Sequence, residues 1–123
     1  MSDVHLAYEP FYVTVAINDN LPQFTPHEIE IPPGTVATIT WATAAKNVTF
    51  RSFEWCDADR AHLSRPLIDG RYVACIVENT GNGVAGDWKY HVQLTVTSGS
   101  KQDLYESPRC GVVGNGLPVI RTK

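Results

Sequence analysis

Trp88, Tyr90, Val92, Leu94 and Val96 take every second position of one uninterrupted run, and Lys89, His91, Gln93, Thr95 and Thr97 fill the places between them. Successive side chains of a strand point to opposite faces, so this run has one apolar and one polar face. That pattern predicts an antiparallel sheet with one side on a core and the other in water.

The rest of the chain repeats the theme. Residues 11–17 place Phe11, Val13, Val15 and Ile17 on one face. Asn18-Asp19-Asn20-Leu21-Pro22 then ends the strand, because Asn and Asp bond back to nearby backbone and Pro lacks an N–H. Residues 28–31 alternate, Pro32-Pro33-Gly34 turns the chain, and the β-branched run 35–43 follows. Residues 47–55 change parity between Phe50 and Phe53, which predicts a bulge near Arg51-Ser52. The apolar run 71–77 predicts a strand buried on both sides or an inner sandwich strand. Ser98-Gly99-Ser100-Lys101 reads as a hairpin turn into 102–106, and Val119-Ile120 as a last edge pairing. Residues 57–63 predict the one short helix, with Asp57 as its N-cap. Seven or eight strands at spacings of roughly 8 to 12 residues define an all-β chain, a single antiparallel β-sandwich over residues 1–123.

Composition narrows the function classes. A net charge of −3 and the absence of a basic run argue against nucleic acid or anionic lipid as a partner. No apolar stretch reaches the roughly 20 residues of a membrane span, and the first residues lack a secretory pattern, so a cytoplasmic location is expected. Three cysteines cannot all pair within one chain. The odd count predicts reduced thiols, with one bridge plus one free thiol as the alternative. Cys75 reads as a small core residue, and Cys110 as the most exposed thiol. Asn47-Val48-Thr49 matches a glycosylation sequon, which is read as chance without an export signal.

The segment Ile29-Glu30-Ile31-Pro32-Pro33-Gly34-Thr35-Val36-Ala37-Thr38-Ile39-Thr40-Trp41 resembles the central strands of cupredoxin-like domains, and Gly86-Asp87-Trp88-Lys89-Tyr90-His91-Val92 is similar to their late Tyr strand. The resemblance covers residues 28–97 and implies a Greek-key sandwich, cupredoxin-like or immunoglobulin-like. A blue-copper site needs two His and a Cys, usually with an axial Met. Here Lys46 stands where the first His is expected, and the Cys-His-Met cluster expected after the Tyr strand is missing, since Cys110 has no His after it and Met1 is the only Met. The implied scaffold is therefore copper-free and needs no cofactor, and small bacterial domains of the DP-EP family are its nearest match. A second segment, Asn18-Asp19-Asn20-Leu21-Pro22-Gln23-Phe24, is similar to the calcium-binding linker of cadherin repeats. That resemblance implies a calcium-dependent adhesion repeat, with Asp19, Asn18, Asn20 and the later Asp57 and Asp59 as oxygen donors.

Asp57, Asp59, Arg60, His62, Arg65 and Asp69 form the one dense polar stretch, a candidate ligand-binding loop or a solvated crossing between sheets. The metal alternative joins Cys56 and His62 to a distant His27 or His91, although six residues is not a usual zinc spacing and His91 reads as solvated. Trp41, Trp55, Trp88 and the tyrosines are expected mostly on core faces. No nucleophile elbow, metalloprotease helix or phosphate loop is present, so no enzymatic activity is expected. The sequence thus predicts a non-enzymatic binding or assembly module for a protein or small-molecule ligand. Exposed sheet edges predict a homodimer.

Overall fold

The computed structural model describes residues 7–56, 62–80, 86–110 and 117–122. Ten strands follow one another: β1 (Ala7–Asn18), β2 (Leu21–Thr25), β3 (Glu28–Ile31), β4 (Thr35–Thr43), β5 (Val48–Trp55), β6 (Leu67–Asp69), β7 (Tyr72–Asn79), β8 (Gly86–Ser98), β9 (Lys101–Glu106) and β10 (Val119–Thr122). One sheet has the order β2-β1-β4-β7-β6, and the second runs β3-β10-β8-β5 with β9 also on β8. The inner faces of both sheets meet in one core cluster, which makes the all-β fold sandwich-like.

Two expectations are corrected. The sheets are mixed rather than purely antiparallel, because β1 pairs β4 and β3 pairs β10 in parallel. The last strand reaches back to the chain's early part, and no local turn signal encodes such a partner. The helix predicted at 57–63 is also absent from its described part. Residues 57–61 lie outside the described residues, and Leu63 forms an isolated bridge with Val77. His62 and Ser64 continue along the free edge of β7 with two backbone bonds of 2.9 and 2.8 Å, a pairing that protects this edge.

Local signals otherwise fold as their chemistry dictates. Asp19 and Asn20 both adopt positive φ, a two-residue hairpin turn that Asn and Asp tolerate best among residues other than glycine. The β5–β8 register shifts between Phe50 and Ser52, so Val48, Phe50, Phe53 and Trp55 all turn inward. Strand β8 is long enough to take two partners on one side, β10 over its first half and β9 over its second. Ser107 splices the gap. Its N–H donates to the Val92 carbonyl at 3.0 Å, and its hydroxyl accepts the Val92 N–H at 3.0 Å.

The core is aromatic at its centre. Trp41 from the first sheet packs against Phe53, Trp55 and Tyr90 of the second at ring separations of 4.6, 6.3 and 5.2 Å. Such ring pairs add roughly 0.5–1.5 kcal/mol each beyond the area they bury.

Candidate functional site: the outer face of the first sheet

The residues singled out from sequence do not converge. Asp57, Asp59 and Arg60 lie outside the described residues. Arg65 is exposed beside the β7 edge, and Asp69 is exposed at the end of β6. His62 turns its ring onto Trp88, 4.4 Å away. His27 lines a cleft of about 370 Å³ with Leu21, Phe24 and Pro108. Asp19 sits exposed in the β1–β2 turn, so the cadherin-like segment forms a tight hairpin. Among the described residues no group of three or more His, Cys, Asp or Glu is placed to hold a metal ion.

Cys56 is bonded to Cys110, which corrects the expectation of reduced thiols and realises the alternative of one bridge plus one free thiol. The bridge removes Cys56 from any metal-ligand set and Cys110 from the role of exposed thiol. Cys75 is the buried free thiol, and desolvation pushes its pKa up. Among the described residues no helix is long and apolar enough to cross a membrane.

His91 also departs from expectation. It is only 5% exposed, although it lies on the outward face of β8. Glu54 stands directly opposite it on β5, with Oε1 3.3 Å from Nδ1, and Glu106 of β9 brings Oε2 within 3.5 Å of Nε2. The carboxylates of two flanking strands therefore close over the imidazole. Glu106 accepts from Gln93 and Arg109, and these contacts hold its carboxyl below the usual range.

This cluster belongs to a polar outer face on the second sheet. There Arg121 stands in register between Glu30 and Asp87, with Nε 2.7 Å from the Asp87 carboxylate. The Arg121 guanidinium lowers the Asp87 pKa. Surface pairs of this kind are screened by water, contribute little to stability and keep the face solvated.

The outer face of the first sheet is built differently. Val13, Val15, Ile39, Trp41, Val73 and Val77 point into the core, so their strand neighbours point outward. Register then assembles four cross-strand rows. They read Tyr8–Val36–Glu78, Pro10–Thr38–Ile76, Tyr12–Thr40–Ala74–Leu67 and Thr14–Ala42–Tyr72–Asp69. The two middle rows carry no charge. Tyr8, Tyr12 and Leu67 are 75%, 70% and 69% exposed, and Tyr72 and Ile76 are also exposed. Contiguous apolar patches larger than a few hundred Å² are rare on the surfaces of monomeric soluble proteins.

Sequence reasoning missed this face. Tyr8 and Tyr12 have the parity opposite to Phe11, Val13 and Val15, so their outward direction was already legible. The run 71–77 is an inner sandwich strand covered on one side only, with Tyr72 and Ile76 in water. The tyrosines are correspondingly split between the two sides: Tyr90 is buried at the core, while Tyr8, Tyr12 and Tyr72 are outside.

No protein-family model matches the chain, and no curated protein matches it.

Proposed function

We propose that this chain is a non-enzymatic binding or assembly module that works through the outer face of β2-β1-β4-β7-β6. In this reading the scaffold is a copper-free, cupredoxin-like Greek-key sandwich. The observation that carries the reading is the contrast between the two outer faces of one molecule. The second sheet meets water with Arg121, Asp87, Glu54 and Glu106, whereas the first presents Tyr8, Tyr12, Tyr72, Leu67 and Ile76. Tyrosines give large, rigid contact area at low entropic cost, which suits them to interfaces.

The test is the folding stability of a Tyr8→Ser/Tyr12→Ser/Leu67→Ser variant at low micromolar concentration or below. Residues kept for contact contribute only cross-strand terms, so the expected loss is below about 1 kcal/mol per substitution. A loss of about 3 kcal/mol or more per substitution, the scale of a core truncation, contradicts the reading.

A further inference from the structure

We infer that the occupant of this face is a second copy of the same chain, packed face to face about a two-fold axis parallel to the strands. The inference rests on the reading above and names the partner.

Self-complementarity is written in the rows. The β1 side of the face presents Tyr8 and Tyr12, and the β7–β6 side presents Ile76 and Leu67 in the two middle rows, with Tyr72 in the last. A two-fold axis along the strands exchanges the two sides and keeps each row opposite itself. Tyr12 of one copy then covers Leu67 and Ala74 of the other, and the same contact repeats in reverse, as an isologous interface requires.

Charge selects that axis. The face's acidic residues, Glu78 in the first row and Asp69 in the last, both lie on the β7–β6 side. An axis across the strands keeps that side opposite itself with the rows reversed, and brings the two acids together. The axis along the strands keeps each acid in its own row and turns it toward the uncharged β1–β4 side of the other copy, so no acid stands directly opposite an acid. Like-charge contacts of the first kind cost affinity.

The area suffices. Rows about 7 Å apart on strands about 4.8 Å apart give a footprint of about 500 Å² per copy. Protruding rings raise the accessible area above this, so two copies reach the roughly 1,000 Å² that a specific interface needs. Aligned packing of two sheet faces is a standard arrangement. The homodimer expected from sheet edges is thereby reassigned to a sheet face.

Sedimentation equilibrium of the full chain over a wide concentration range tests the inference. Native protein is expected to dimerise. Tyr12→Lys and Leu67→Lys, substitutions at exposed positions, are each expected to weaken association about tenfold or more. Leu104→Lys, on the outer face of the second sheet, is expected to leave it unchanged. A native chain that stays monomeric overturns the inference. So does dimerisation that survives Tyr12→Lys or Leu67→Lys, or that Leu104→Lys abolishes. A monomer whose triple serine variant keeps its stability removes the second copy and leaves the binding reading standing; a triple variant that unfolds removes both.

Discussion

Trp41 Nε1 donates a hydrogen bond to the Tyr90 hydroxyl at 2.9 Å across the buried interface between the two sheets. It is a polar link inside an otherwise apolar aromatic cluster. Burial pushes the Tyr90 hydroxyl far above the usual phenol range, so it stays a neutral acceptor in alkaline solution. Tyr90→Phe strands the Trp41 N–H without its acceptor, and a cost of about 1–3 kcal/mol is expected in urea unfolding. Trp41→Phe leaves a cavity as well as a Tyr90 hydroxyl without its donor, and is expected to cost more than Tyr90→Phe. The reverse order contradicts this picture of the core.

Thiol counting checks the cysteine arrangement. The folded, non-reduced chain is expected to react slowly with a thiol reagent, because Cys75 is buried and its pKa is raised. Unfolding exposes one thiol per chain, and reduction yields two more. The Cys56–Cys110 bridge closes a separation of 54 residues, so its removal is expected to cost roughly 2–4 kcal/mol. Three thiols in the unfolded, non-reduced protein contradict the bridge.

Acid should loosen the second sheet first. The Asp87 and Glu106 pKa values are lowered in the folded state from ordinary values of 3.8 and 4.5. A depressed carboxylate stabilises the fold fully above its unfolded pKa and loses that contribution as pH falls through the folded pKa. Stability is therefore expected to hold at neutral pH and to decline below about pH 4.5. Asp87 is exposed and Glu106 half-exposed, so water screens both and each effect is small. Arg121→Ala, which removes the partner of Asp87, should flatten part of the decline in melting temperature between pH 5 and pH 2, values chosen to bracket these titrations. An unchanged acid profile in that variant contradicts the assignment.

Ser107 gives a local test of how β8 holds two partners on one edge. Ser107→Ala leaves the buried Val92 N–H without its side-chain acceptor, for an expected loss of about 1–2 kcal/mol. Hydrogen exchange at Val92 should accelerate more than exchange at Leu94, and equal acceleration contradicts the splice.

Much of the fold was legible because parity is local. The faces of β1, β4 and β8, the 51–52 bulge and the Ser98–Lys101 turn follow from neighbouring residues. The parallel pairings of β4 with β1 and β10 with β3 were not, because each depends on a partner distant in sequence. His91 was misread for the same reason: Glu54 and Glu106 come from other strands. The candidate site needed both kinds of information. Parity turned Tyr8, Tyr12 and Tyr72 outward, but only register laid them and Leu67 on one continuous face.

Hydroxyl-radical footprinting across a concentration series tests most directly whether that face is covered. In dilute protein Tyr8, Tyr12, Tyr72 and Leu67 should be among the most reactive side chains, as should Leu104, since all are exposed. On concentration the first four are expected to become protected together while Leu104 stays reactive. Protection that falls on Leu104, or reactivity that does not change at any concentration, contradicts the account.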